Sequence, residues 1–203
     1  MIVPQQAATS ERIAAAVSRG GIIAFRTDTF YGLGADPFNA SAVQRVRDLK
    51  GREENKPILV LISDVEQLDR LIENRSSVFD KLAKDFWPGA LTIIGEATGQ
   101  LPSELTAGTK TVGVRLPDDD RVRALVRACG GALTATSANP SGQPPARTAE
   151  DVANYFEDGI DLIVNSGAAR TDQPSTVIDA TGAEAKLIRE GVFPWTQIQA
   201  ALR

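Results

Sequence analysis

Histidine is absent from all 203 residues, and cysteine occurs once, at Cys129. The first absence removes Ser-His-Asp and Cys-His catalysis, HExxH metal sites and imidazole acid–base chemistry. The second removes an internal disulfide and any cysteine-clustered zinc or iron–sulfur site. Chemistry here falls to Lys, Arg, Asp, Glu, hydroxyls and backbone amides. No apolar run approaches the ~20 residues of a membrane-spanning helix. The opening MIVPQQAATSER lacks a charged-then-apolar signal pattern. A cytoplasmic protein without membrane contact is therefore expected. Neither sign of charge dominates: 22 basic residues face 26 acidic ones, for a net charge of −4. Bulk attraction to nucleic acid does not follow, while a local basic cleft stays open. Internal repeats and low-complexity tracts are missing as well.

What is present suits one globular domain. Hydrophobic residues at 42% and charged residues at 24% exclude wholesale disorder. A domain of this length buries about 70% of its unfolded surface, enough for a core without staples. A capped helix is read from Ser10 to the stop at Gly20-Gly21. A buried strand follows at 22–25, and the polar, glycine-bearing stretch Arg26 to Asp36 reads as a loop. Val43, Val46 and Leu49 share one stripe of a helix over 40–50. Pro57 to Ile62 is a continuous apolar strand, as in the centre of a sheet. Helical segments are expected near 64–73 and 76–86, and strands near 90–95, 111–116 and 131–135. The stretch Thr136 to Arg147 carries three prolines and reads as irregular. Thr148 opens a helix with Asp151 as its capping-box partner. Strands at 161–164, 176–179 and 186–189 precede a closing helix from Pro194 to Leu202. Strands alternate with helices early and cluster late, which fits an α/β domain with a mixed sheet.

Four polar segments sit at strand ends or in loops. Arg26-Thr27-Asp28-Thr29-Phe30-Tyr31-Gly32-Leu33-Gly34 offers hydroxyls and amides to a polar ligand, or forms a turn closed by local Asp and Thr hydrogen bonds. Lys50-Gly51-Arg52, with Lys56 nearby, gathers cations at a helix-to-strand junction. An Arg fork and a Lys point charge suit phosphate; a solvated surface loop, offset by Glu53 and Glu54, is the alternative. Lys50 and Arg52 are expected at least partly exposed. Thr136-Ser137-Ala138-Asn139-Pro140-Ser141-Gly142 suits an anion nest or a ribose, or is an ordinary Pro/Gly loop. It matches neither the P-loop nor the G-x-S-x-G pattern. Arg115, Ser175-Thr176 and Arg189 each end an apolar strand, where a ligand carboxylate or phosphate competes with a structural salt bridge.

Taken together and in order, these segments resemble the YrdC-type threonylcarbamoyl-AMP synthase family. Arg26 to Gly34 resembles its PTDTxYGLG signature. Lys50-Gly51-Arg52 with Ser137-Ala138-Asn139 is similar to its KxR…SxN tetrad. Ser175 to Asp179 and Ile188 to Gly191 are similar to its STVID and LRxG segments, and Trp87 to Thr92 is another typical stretch. The resemblance spans about residues 10–195, and four spaced motifs in order are harder to obtain by chance than one. It implies a single α/β domain over residues 1–203, an open twisted mixed sheet with flanking helices and a basic concave face. It further implies the short form, without the C-terminal domain of longer members.

The resemblance also implies an activity. L-threonine, bicarbonate and ATP would give threonylcarbamoyl-AMP and pyrophosphate, feeding threonylcarbamoyl-adenosine formation beside the tRNA anticodon through downstream transfer machinery. Thr29, Arg115, Ala135 and Ser175 would hold L-threonine. Lys50, Arg52, Lys56, Thr111, Ser137, Asn139, Pro145 and Arg189 would serve ATP, with Lys50 and Arg52 as the catalytic pair. Mg²⁺ would arrive on ATP, with no metal site in the protein and no organic cofactor. This sequence departs from the pattern at Arg26 and Glu53, each in place of Pro, and at Leu61, where some members carry His. The competing class is a module that binds double-stranded RNA or tRNA without turnover, with a steep salt dependence.

Overall fold

The structure is a computed structural model that describes residues 1–51, 56–171 and 173–203. Its elements in chain order are β1 (Ile2–Pro4), α1 (Ala7–Ser18), β2 (Ile23–Arg26), β3 (Tyr31–Gly34), α2 (Ala40–Lys50) and β4 (Val60–Ile62). A 3-10 turn at Val65–Gln67 leads into α3 (Leu68–Leu71), followed by α4 (Ser77–Phe86), β5 (Leu91–Glu96) and α5 (Ser103–Thr106). Then come β6 (Thr111–Arg115), α6 (Asp120–Ala128), β7 (Ala132–Thr134), β8 (Thr136–Ser137) and α7 (Ala149–Tyr155). The chain closes with β9 (Leu162–Asn165), β10 (Thr176–Asp179), β11 (Lys186–Arg189) and α8 (Trp195–Ala201).

The strands form two mixed sheets, in the orders β1-β9-β2-β3-β8 and β11-β10-β5-β6-β4-β7. The mixed α/β architecture is as expected, with the sheet divided in two. The stretch through β7 and β8 joins the halves. Thr134 N–H donates to the Ala35 carbonyl at 2.9 Å, and Ala135 N–H donates to the Leu59 carbonyl at 2.8 Å.

Strand alternation sorts the six-stranded sheet into a core face and an open face. Leu91, Ile93, Val112, Val114 and Ile178 enter the larger core. Their neighbours Thr92, Ile94, Gly113, Arg115 and Val177 line a cleft. A smaller core covers the far end of that open face, where Ile13 and Val17 of α1 and Val122 and Leu125 of α6 pack over Leu61 and Leu133. The cleft is thus the part of one sheet face that no helix covers among the described residues.

Several local expectations are corrected. Helix α1 starts at Ala7, before Ser10, because the Thr9 hydroxyl accepts the Gln6 N–H at 3.1 Å and takes over the capping role. The stretch read as a loop from Arg26 to Asp36 contains β3. Its two glycines mask the strand, and Gly34 is needed there because a Cβ would lie 2.6 Å from the Phe25 ring. The supposed irregular stretch opens with β8, antiparallel to β3. The apolar run 57–62 is a paired strand only at Val60–Ile62. Helix near 64–73 is reduced to the 3-10 turn and the single turn of α3. Strand β1 and helix α5 had no periodic signal. The Thr148–Asp151 capping box forms as expected.

Candidate functional site

The cleft encloses about 370 Å³. Its lining comes from the β2–β3 turn, the open faces of β5, β6 and β10, the β7–β8 junction and the rim strand β11. Gly113 forms part of the floor, where a Cβ would press to 3.0 Å from the Thr92 methyl. Arg115 and Arg189 are the charged residues of the lining, and no carboxylate belongs to it among the described residues. The expected basic concave face is therefore present.

At the closed end, Arg115 is 3% exposed. Its Nη2 lies 3.1 Å from Asp28 Oδ1, and its Nη1 lies 3.5 Å from Thr29 Oγ1. Thr29 Oγ1 also shares a 3.1 Å hydrogen bond with Thr27 Oγ1. Beside them, the buried Ser175 and Thr92 hydroxyls share a hydrogen bond of 2.9 Å. At the mouth, Arg189 Nη2 donates to the Ser175 carbonyl at 2.9 Å. Desolvation against the cleft wall, then the like charge of Arg115, lowers the Arg189 pKa from its ordinary value.

The wall opposite is held by Lys50. It ends α2 and is 4% exposed, so the expectation of a surface cation is overturned. Its stem reaches across to the loop after β8, where Nζ donates to the Ser137 carbonyl and, at 2.8 Å, to the Asn139 carbonyl. Asn139 is buried too; its Nδ2 donates to the carbonyls of Pro140 and Gln143, while its Oδ1 accepts nothing among the described residues. Lys50 and Asn139 thus shape the loop that carries Ser137 and Pro145 into the cleft.

The structure brings Thr29, Arg115, Ala135, Ser137, Pro145, Ser175 and Arg189 into one cavity. Lys50 and Asn139 stand behind its wall. Thr111 shares the open face of β6 with Gly113 and Arg115 but lies beyond the lining, with its hydroxyl on Thr109 at 2.9 Å. Lys56 is exposed next to the lining residue Pro57. Arg52 and Glu53 lie outside the described residues. Leu61 is fully buried in the smaller core and does not line the cleft. Arg26 pairs with Asp119 behind the site at 2.9 Å. Sequence reasoning gave no role to Thr92, Val177, Pro174 or Ile188. Only Thr92 carried a signal, as the hydroxyl within an otherwise apolar strand.

Two other groups are set aside by their surroundings. Burial raises the Tyr31 pKa, and its hydroxyl is spent on the Gly167 carbonyl at 2.8 Å. Burial pushes the Cys129 thiol up to about 12, which leaves it protonated and unreactive at neutral pH. Among the described residues there is no cluster of three or more His, Cys, Asp or Glu side chains able to hold a metal. No helix is long and apolar enough to cross a membrane, again among the described residues.

Comparison with known proteins gives the same picture. The family model Sua5/yciO/yrdC, described as telomere recombination, matches residues 15–191. Threonylcarbamoyl-AMP synthase of Pyrococcus abyssi is 37% identical over 192 residues, covering 94% of this chain and 56% of the relative. Its namesake in Halorhodospira halophila is 35% identical over 166 residues, covering 82% and 87%. The chain thus spans about half the length of the first relative and most of the second. The crystal structure of P. abyssi Sua5 complexed with L-threonine matches with a TM-score of 0.95 at 33% identity, covering 100% of this chain and 61% of that one. Motifs, cleft and comparisons agree, and the chain belongs to the Sua5/YciO/YrdC family.

Proposed function

We propose that this chain forms L-threonylcarbamoyl-AMP and pyrophosphate from L-threonine, bicarbonate and ATP. The observation that carries the reading is the cleft wall. Two guanidiniums and the hydroxyls of Thr29, Thr92 and Ser175 face one cavity that no carboxylate lines among the described residues. That set suits an amino-acid carboxylate beside a polyphosphate. The synthase relatives, and the Sua5 structure complexed with L-threonine, support it.

In this reading Arg115 forks the threonine carboxylate. Thr29 and Ser175, which both donate and accept, read the side-chain hydroxyl, and Ala135 contributes shape and backbone. Arg52, Lys56, Thr111, Ser137, Pro145 and Arg189 serve the nucleotide, with Lys50 and Asn139 fixing the loop that carries Ser137. The threonine amine attacks bicarbonate to give a carbamate and water. A carbamate oxygen then attacks the α-phosphorus of ATP, and the bond to pyrophosphate breaks. Negative charge grows on phosphate oxygens, so the cations act by position and field, and no imidazole is needed. Mg²⁺ enters as part of the nucleotide substrate, held by phosphate oxygens and water. The product supplies threonylcarbamoyl transfer to tRNA beside the anticodon, in the cytoplasm.

The test is pyrophosphate release from ATP with L-threonine and bicarbonate each omitted in turn. Release that requires both is the expected result. Release indifferent to either overturns the reading. Salt-sensitive binding of double-stranded RNA with no release favours the RNA-binding module instead.

A further inference from the structure

We propose that Asp28 is a positioning residue for amino-acid recognition, holding the Arg115 guanidinium in place from behind the cleft wall. The inference rests on the reading above, in which Arg115 takes the substrate carboxylate.

Asp28 stands between Thr27 and Thr29, both of which line the cleft, and does not line it itself. Its side chain is 7% exposed, and that of Arg115 is 4% exposed. Asp28 Oδ1 lies 3.1 Å from Arg115 Nη2, yet among the described residues neither carboxylate oxygen accepts an aligned hydrogen bond. The acid is therefore not spent on the turn that carries it. That turn is closed by Thr27, whose N–H and Oγ1 both donate to the Phe30 carbonyl, at 2.9 and 2.8 Å. Thr27 Oγ1 also accepts the Thr29 N–H at 3.1 Å. What remains for Asp28 is its charge.

Arg115 needs that charge. It is buried, its Nε donates to nothing among the described residues, and its like-charged neighbour Arg189 shares the cleft. An unpaired buried guanidinium is costly and turns toward water where the chain allows it. Asp28 offsets the charge from the side away from the ligand. Arg115 is then held in place by the protein itself, its Nη1 beside the Thr29 hydroxyl and its Nε unclaimed among the described residues. A donor set that is already in place costs less ordering when the ligand arrives.

The experiment compares wild type, Asp28→Asn, Arg115→Lys and the double variant. Binding of L-threonine is measured by calorimetry, and the KM for threonine and for ATP by pyrophosphate release. Asp28→Asn keeps the side chain's shape and removes its charge. Expected are a rise of about tenfold or more in the threonine Kd and KM, and an ATP KM within about threefold of wild type. In the Arg115→Lys background, Asp28→Asn should add less than about twofold, because Asp28 acts through Arg115. An equal rise in both KM values, full additivity, or unchanged threonine binding overturns the proposal. Asp28→Glu, which retains the charge but moves it by one methylene and so displaces the Arg115 guanidinium, serves if Asp28→Asn melts below the assay temperature. A threonine-selective loss is expected there as well, and an equal rise in both KM values overturns the proposal. A wild-type chain that neither binds nor turns over L-threonine overturns the functional reading and this one together. Wild-type binding with an indifferent Asp28→Asn overturns this one alone.

Discussion

Two buried guanidinium–carboxylate pairs tie the end of β2 and the turn after it to the end of β6 and the N-cap of α6, and their carboxylates are completed differently. Arg26 reaches forward to Asp119, while Asp28 reaches back to Arg115, so the two links carry opposite polarity. Asp119 is saturated. Its Oδ1 accepts Arg121 N–H at 2.9 Å as the N-cap of α6, and its Oδ2 meets Arg26 at 2.9 Å and the exposed Arg170 at 3.4 Å. Among the described residues Asp28 accepts no aligned hydrogen bond; Arg26 and Arg115 each keep an unclaimed Nε, but of the two Arg115 lines the cleft and Arg26 does not. Equal burial and equal chemistry therefore do not mean equal purpose. The pair with the saturated carboxylate lies behind the site, and the pair with the unsaturated one places its guanidinium in the cleft wall.

The largest effect should come from breaking the completed pair. Asp119→Ala removes a helix cap and strands the Arg26 charge in the interior. The expected loss is on the order of 3–5 kcal/mol. For a chain of this size that means a melting temperature lower by roughly 10 °C, read by calorimetry. The threonine and ATP KM values should stay near wild type at temperatures where the variant is folded. A selective threonine defect without destabilisation would erase the contrast between the pairs.

Arg115→Lys is the converse. Lys keeps the charge but loses the fork. Hydrogen bonds to charged groups contribute about 1.5–3 kcal/mol, so the threonine KM should rise by roughly 10–100-fold. The ATP KM should move far less, and the melting temperature should fall less than in Asp119→Ala. An equal change in both KM values would make Arg115 a structural residue like Arg26.

The difference between the pairs also marks how far the sequence can be read. Arg115, Ser175 and Arg189 were legible as polar groups at the ends of apolar strands, and Thr29 and Ser137 as hydroxyls in polar stretches that follow buried strands. Their common cavity depends on strand order, which pairing across long separations decides. Arg26 and Asp119 lie 93 residues apart. Nothing local to either announces the other, so Arg26 showed only as a departure from a motif. Strand β3 is masked because Gly32 and Gly34, the latter under the Phe25 ring, have no side chain to alternate. Leu61 sits on the open sheet face, yet α1 and α6 cover it, and that cover is tertiary information.

Lys50→Met tests a cation of intermediate kind, buried like Arg26 but holding the Ser137 and Asn139 carbonyls. The methionine fills much of the stem's space and removes the ammonium that holds the Ser137 and Asn139 carbonyls. A loss of about 1–3 kcal/mol is expected, with turnover falling because Ser137 is no longer held. Native-state hydrogen exchange should show the loop after β8 loosening first. Full stability and full turnover would remove Lys50 from the wall.

The smallest effect isolates saturation from burial. Asp151 is a half-exposed carboxylate with complete partners: its Oδ2 accepts Arg147 N–H at 2.9 Å and Thr148 N–H at 3.0 Å. Those bonds, Arg147 first, hold its pKa below the ordinary carboxylate value. A folded pKa below the unfolded one means that the stabilising contribution is present above the unfolded value. It is lost as pH falls through the folded value. Asp151→Ala should cost about 1 kcal/mol at pH 7, as a lost capping box does. The gap between variant and wild type should narrow as the pH drops below about 4. Denaturant unfolding of both chains at pH 7 and in acid checks this. A gap independent of pH would mean that the Asp151 charge contributes nothing and that the Thr148 hydroxyl caps α7 alone. A gap as large as that of Asp119→Ala would mean that hydrogen-bond completion, rather than burial with it, sets the strength of these carboxylates.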